Sequence, residues 1–306
     1  MYTAPLEDII SAHGIHSMIY ADDTQLFLSL KPSDRSHTLP LLEECICDVK
    51  QWAVANKLMM NDSKTEVIHI RSRFAKIPAM PPLTVGATSV EISDIARNLG
   101  VVMDGHLSMC THVNNICRSA TIAIRKIGQI RPCLDQHTTE RLVHAFITSR
   151  LDSCNSLLYG LPDSQIMKLQ RVQNTAARLV AKVRKYDSIS LVLDDLHWLT
   201  VKKRVIFKIL LLTFKALNGL APAYLTELLT TYSPGHRGLR SSTQNLLQPP
   251  TKNWSTVSYG SRAFCHAAPS LWNNLPDHIK KSNSLDSFKR VLKTHLFKLN
   301  IHGWKI

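Results

Sequence analysis

The apolar residues change their period near residue 105. In the first hundred residues, Leu26, Leu28 and Leu30 alternate with Gln25, Phe27 and Ser29, a period of two that predicts a strand over 24–30. His16–Tyr20 precedes it across a short polar turn, so a hairpin is expected. Leu42, Cys45, Ile46, Val49 and Ala53 then recur at helical spacing and predict a helix over 41–57. The β-branched run Thr65–Ile70 predicts another strand. Pro78, Pro81 and Pro82 forbid helix and central strand alike. Short strands are expected at 83–85 and 90–92, around Gly86, and at 98–103.

Beyond residue 108 the spacing is helical. Val113, Ile116, Ala120, Ile124 and Ile127 predict a helix that stops near Pro132. Further helices are expected over 138–158, from Asp163-Ser164 as N-cap to 182, over 199–218 closed by Gly219, over 222–230, and over 285–299. The Ser, Thr, Gly, Pro and Gln of 231–262 read as a flexible linker. The expected organisation is an α+β piece over 1–105, a helical region over 106–186, a helical extension over 187–230, that linker, and a tail with a helix over 263–306.

With 44% apolar and 20% charged residues the chain can bury a core, which excludes wholesale disorder. Seven scattered cysteines do not make a disulfide framework and fit a reducing compartment. The first twenty residues contain Glu7 and Asp8 and no apolar run, so no signal peptide is visible. The most apolar stretch, 205–214, contains Lys208 and is about half of what a bilayer requires. An intracellular protein of nucleus or cytoplasm, neither secreted nor membrane-bound, is expected.

Charge sharpens the picture. Residues 1–100 hold 9 Lys/Arg against 12 Asp/Glu, whereas 101–306 hold 28 against 11. A basic second part suggests an anionic partner, with a solvated cationic surface as the plainer explanation. At about 100° per residue, Lys168, Arg171, Arg178 and Lys182 fall within an arc of roughly 80°. Ile166, Leu169, Val172, Ala176, Leu179, Val180 and Val183 occupy a different sector, centred about 125° away. One face can pack while a cationic stripe meets backbone phosphates. The preceding helix adds Arg118, Arg125 and Lys126, with Arg131 at its end.

The densest chemistry is Tyr20-Ala21-Asp22-Asp23. Adjacent carboxylates repel, which water or a divalent cation relieves. Acids at a hairpin tip can hold Mg²⁺ for in-line attack at phosphorus. An exposed acidic turn is the competing explanation, since Asp is common in turns.

The surroundings weigh against that alternative. His13-Gly14-Ile15 leads into the turn and Thr24-Gln25-Leu26-Phe27 follows it. Together these resemble the Tyr-x-Asp-Asp catalytic hairpin of reverse transcriptases, in the arrangement of the non-LTR retrotransposon (LINE-type) branch. Trp52-Ala-Val-Ala-Asn56 with Lys64-Thr65-Glu66 is similar to the element after that hairpin, and Asn98-Leu99-Gly100-Val101 to the strand pair that grips the primer. Residues 112–131, Ser149–Leu158 and Leu169–Arg178 look like the family's helical thumb, and 264–276 and 285–297 like its C-terminal tail.

The resemblance implies a fold, the second half of a polymerase palm (antiparallel strands with a helix) followed by an all-α thumb and a helical C-terminal region. It implies Asp22 and Asp23 as catalytic metal ligands for Mg²⁺ and Lys64 near the incoming triphosphate. Tyr20 and Ala21 would lie at the primer end, and Leu99 and Gly100 at the primer grip. The implied partners are an RNA template, a DNA primer or an RNA–DNA duplex, and dNTPs.

The family needs a third palm carboxylate on an upstream strand, and only nineteen residues precede Tyr20. Glu7 and Asp8 are poor substitutes, so the chain is expected to be a fragment, inactive alone. The alternatives are a noncatalytic nucleic-acid-binding module, or a retrotransposon remnant with no selected role. Cys110-x-His112-x4-Cys117 and Cys133-x3-His137 lack the paired C-x2-C of a zinc knuckle, and no Gly-rich phosphate loop is present.

Overall fold

The computed structural model describes residues 3–30, 34–72, 74, 80–86, 88–232, 245–250 and 260–299. The architecture is mixed α+β, with small two-stranded sheets and many helices. The chain divides into two compact units, Met1–Ser108 and Met109–Ile306.

In the first unit, helix α1 (Pro5–Ala12) starts on a proline, with Glu7 and Asp8 favourably placed in its first turn. It buries Leu6 and Ile10 and ends at His13. Gly14, at φ +67°, turns the chain into strand β1 (His16–Tyr20), which pairs antiparallel with β2 (Asp23–Phe27). Helix α2 (Arg35–Ala55) begins six residues before the expected start and contains Pro40. Packing explains the extension, because Leu39 and Leu42 lie against the cluster of Ile46, Leu83 and Val85. A second cluster joins Leu6, Ile10 and Ile15 to Cys45 and Val49. His13 Nε2 lies 2.8 Å from Asp48 Oδ2 and ties the end of α1 to α2.

The strand expected over 65–70 shrinks to β3 (Val67–Ile68). Thr65 is still leaving the 3-10 turn Asp62–Lys64. Strand β4 (Leu83–Val85) pairs antiparallel with β5 (Thr88–Val90), two residues before the expected partner, because Leu83 lies opposite Val90. Strand β6 (Ile92–Ser93) runs parallel to β3. Strands β7 (Ile95–Asn98) and β8 (Val101–Asp104) form a hairpin, where the residue pattern predicts a single strand over 98–103 and the resemblance implies a strand pair.

The second unit opens with α3 (Cys110–Ile130), which buries all five residues of its predicted stripe. The helix expected over 138–158 is four segments. Helix α4 (Gln136–Val143) continues through a π turn (His144–Thr148) into α5 (Ser149–Asp152). Cys154, at φ +51°, then breaks the path before a 3-10 turn that buries Asn155 and Leu158. Helix α6 (Asp163–Ala181) has Pro162 as N-cap, not Asp163-Ser164. It runs parallel to α3. Asn114 meets Lys168 near the two starts, and Gly128 meets Leu179 near the two ends.

Helix α7 (Ile189–Asp195) lies in the helical extension expected over 187–230, ahead of the helix expected over 199–218. Helix α8 (Val201–Leu217) buries Val205, Ile206, Ile209, Leu210 and Phe214. Helix α9 (Ala223–Thr226) is one turn of the stretch expected over 222–230, and strand β9 (Thr230–Thr231) follows. Strand β10 (Leu247–Gln248) pairs with β9, inside the stretch read as a flexible linker. Asn273 holds it, accepting from Leu247 N–H at 2.9 Å and donating to Leu247 carbonyl at 2.8 Å. Within that stretch, 233–244 and 251–259 lie outside the described residues.

Helices α10 (Phe264–Asn273), α11 (Asp277–Lys280) and α12 (Leu285–Lys298) complete the unit. Phe288 stacks on Phe214 of α8 with centroids 4.2 Å apart, and Trp272 lies 6.1 Å from Phe288. Burying each large ring contributes about 2–3 kcal/mol. The tail and α8 therefore share one core. Among the described residues, no helix is long and apolar enough to cross a membrane.

Candidate functional site

In the β1–β2 hairpin, His16 lies opposite Phe27, Met18 opposite Gln25, and Tyr20 opposite Asp23. Directly opposed residues share a face of an antiparallel pair. Ile19 and Leu26 pack on the cluster around Ile10 and Val49, so the other face looks outward. That outer face carries Tyr20, Asp23, Met18, Gln25 and Phe27, with Tyr20 65% exposed. Asp22 occupies the two-residue loop and Asp23 the last pair, both exposed. The hairpin thus places two carboxylates at its tip beside an aromatic ring.

Ala21 opens the loop at φ +55°, the left-handed backbone that tight hairpins demand. Leu99 and Gly100 form the tip of the second hairpin, at φ +45° and +84°. Two consecutive positive φ values are what a primed two-residue turn needs, which corrects the reading of 98–103 as one strand. Leu99 pays roughly 1–2 kcal/mol for that conformation and Ala21 a similar cost. Leu99 is also 48% exposed, so no burial of its side chain accounts for the leucine.

The side chains of Gln25 and Asn98 bridge the two hairpins. Gln25 Nε2 donates to Asn98 Oδ1 at 2.6 Å, and Asn98 Nδ2 donates to Gln25 Oε1 at 2.9 Å. Neither was among the expected site residues. The signal available was position: Gln25 takes the outward alternate of a strand, and Asn98 immediately precedes a glycine-containing tip.

Lys64 is exposed at the end of the 3-10 turn, where its neighbour Asp62 accepts from Lys50 Nζ at 2.6 Å. Glu66 instead accepts from Arg97 N–H at 2.8 Å, at the edge of β7. Among the described residues, no three His, Cys, Asp or Glu side chains converge as metal ligands.

The helices α3 and α6 carry the cationic residues. No carboxylate occurs in α3, and Asp163 is the sole one in α6. Arg118, Arg125 and Lys126 are exposed, as is Arg171. Lys168 Nζ donates to Asn114 Oδ1 at 3.0 Å across the helix pair. Burial raises the Cys117 thiol, and the nearby Lys168 ammonium offsets part of that rise.

Three expected contacts are differently placed. Arg178 directs its guanidinium to the carbonyls of Arg184 and Asp187, at 3.3 and 3.1 Å. Lys182 lies beyond the end of α6 at φ +54°, so the helical arc does not extend to it. Arg131 is 7% exposed and donates to the carbonyls of Leu179, Leu134 and Val180. It is a buried cap rather than a surface cation.

Among the described residues no disulfide joins the cysteines, and Cys110 accepts from Gln165 Nε2 at 3.2 Å. Comparison with protein-family models, with curated proteins and with solved structures returns no match.

Proposed function

We propose that the chain is the palm-and-thumb portion of a non-LTR retrotransposon reverse transcriptase, which binds a primer–template and holds part of a two-metal nucleotidyl-transfer site. The β1–β2 tip supports this reading most directly, because it sets two exposed carboxylates beside Tyr20 on one hairpin. Magnesium takes oxygen ligands, commonly one or two carboxylates with substrate phosphates, so Asp22 and Asp23 suit it. When bound, Mg²⁺ would neutralise charge developing on the reacting phosphate oxygens. Tyr20 would support the primer end, the Leu99–Gly100 tip would hold its backbone, and Lys64 would face the triphosphate. Two carboxylates supply only part of the ligand set of an ion pair, so the chain alone binds nucleic acid without extending it.

A noncatalytic nucleic-acid-binding module is the second reading. It is favoured by the acid-free α3 and its exposed Arg118, Arg125 and Lys126. Such contacts go to phosphates and tolerate any sequence.

Primer extension on an RNA template with a DNA primer, dNTPs and Mg²⁺ tests both, comparing wild type with Asp22→Ala. The expected result is salt-sensitive binding by both proteins and extension by neither. Extension that vanishes in Asp22→Ala would show a complete polymerase site and refute the partial-site reading. Absence of binding by either protein would refute both readings.

A further inference from the structure

The two hairpins of the first unit belong to separate ladders. Strand β1 pairs with β2, and β7 with β8. The Gln25–Asn98 pair crosses between them with two hydrogen bonds, at 2.6 and 2.9 Å. Each amide gives one donor and one acceptor, so a carboxylate or hydrocarbon at either position loses at least one bond.

Both partners lie close to a tip. Asn98 immediately precedes Leu99–Gly100, and Gln25 is two residues past Asp23, about 7 Å along the strand. Gln25 also shares its face with Tyr20 and Asp23. Each tip contains a left-handed residue other than glycine, Ala21 in one and Leu99 in the other. Such conformations persist where surrounding contacts over-determine them, and a cross-hairpin amide pair is a contact of that kind.

We propose that Gln25 and Asn98 are positioning residues, a role that rests on the nucleic-acid reading above. Their reciprocal bonds hold the Leu99 tip beside the Tyr20–Asp23 face. The 3′ end of a strand lying on one hairpin is thereby presented to the carboxylates of the other. Neither residue need touch the strand.

A photocrosslinking experiment on the full chain tests the role. The probe is an RNA template paired with a DNA primer whose 3′-terminal nucleotide is 4-thiothymidine, with crosslinked peptides mapped by mass spectrometry. Wild type is expected to crosslink within 16–27 and 95–104. Asn98→Ala and Gln25→Ala each remove both bonds and should lower that yield at least about fivefold, the factor that one net hydrogen bond alone makes. Total affinity, carried by the cationic helices, should stay within about twofold. The exchange variant Gln25→Asn with Asn98→Gln restores an amide pair and should recover much of the yield.

Single variants that crosslink like wild type would overturn the positioning role and leave the hairpin reading intact. A yield that follows the thermal midpoint, or an exchange variant that recovers nothing, would likewise overturn it. Wild-type binding with no crosslink in either hairpin would overturn the hairpin reading itself, and the positioning role with it.

Discussion

Arg131 donates from Nη2 to the carbonyl of Val180 at 2.9 Å, so the residue that ends α3 also satisfies the last turn of α6. Its Nε reaches the Leu179 carbonyl at 2.9 Å and its Nη1 the Leu134 carbonyl at 2.6 Å. Arg131→Met keeps much of the apolar stem and removes these donors, leaving buried carbonyls unpaired. A loss of about 3 kcal/mol is expected from urea unfolding. Arg118→Ala, on the exposed face, should change stability by less than about 0.5 kcal/mol. Equal losses in the two variants would refute the capping role.

The cationic faces predict a salt dependence. Arg118→Ala and Arg125→Ala should each weaken binding to an RNA–DNA duplex and reduce the magnitude of the log–log salt slope by about one. Fluorescence anisotropy at several salt concentrations measures it. A wild-type slope near zero would remove the phosphate-contact reading.

Arg171 and Arg178 should separate in the same titration. Arg171 is exposed, whereas Arg178 holds the 184–187 loop through two carbonyls. Arg171→Ala is expected to reduce the slope by about one, and Arg178→Ala by clearly less. Indistinguishable slopes would mean that the Arg178 loop contact does not persist in solution.

The hairpin tips predict an opposition between stability and binding. Leu99→Gly relieves a left-handed leucine and should stabilise the fold by about 1 kcal/mol. It also removes an exposed apolar contact at the proposed primer grip, so crosslinking of a primer 3′ end should fall. A destabilised variant would show that the leucine has packing value the geometry does not reveal.

Burial lowers the pKa of His112, which is 8% exposed in the first turn of α3. The unfolded chain therefore takes up that proton first as pH falls. The stability contribution is complete above the ordinary value of about 6.5 and is lost as pH drops through it toward the lower folded value. His295 shifts the same way, first by burial and then by the charge of His278. Asp152 shifts oppositely. Burial raises it despite Arg204 and Lys208, so its protonation favours the folded state, in a more acidic window. Urea midpoints should decline from about pH 7.5 to about pH 5.5, and His112→Gln should flatten the decline. A pH-independent midpoint would contradict the sign.

Legibility followed the range of the forces involved. Val113, Ile116, Ala120, Ile124 and Ile127 are all buried because an amphipathic stripe dictates its own burial. The acidic hairpin was readable because alternation fixes which residues oppose each other. The break at Cys154 was not, since no glycine or proline marks it and it serves the burial of Asn155 and Leu158. Arg131 looked like another surface cation. Its three acceptors include two carbonyls almost fifty residues away, and no local pattern records them. The turn at Leu99 was hidden from the residue pattern by its leucine, although the resemblance implied a strand pair there. The Gln25–Asn98 bridge spans seventy-three residues and depends on how two hairpins meet.

Parallel packing of α3 and α6 gives the basic surface a direction as well as a sign. Each helix carries about half a positive charge at its start and half a negative charge at its finish, and side-by-side alignment brings like ends together. At the far end the buried guanidinium of Arg131 meets the negative pole. At the near end the amide dipoles and Lys168 together offset the carboxylate of Asp163 in the first turn of α6, so the positive pole there is not left bare to an acid.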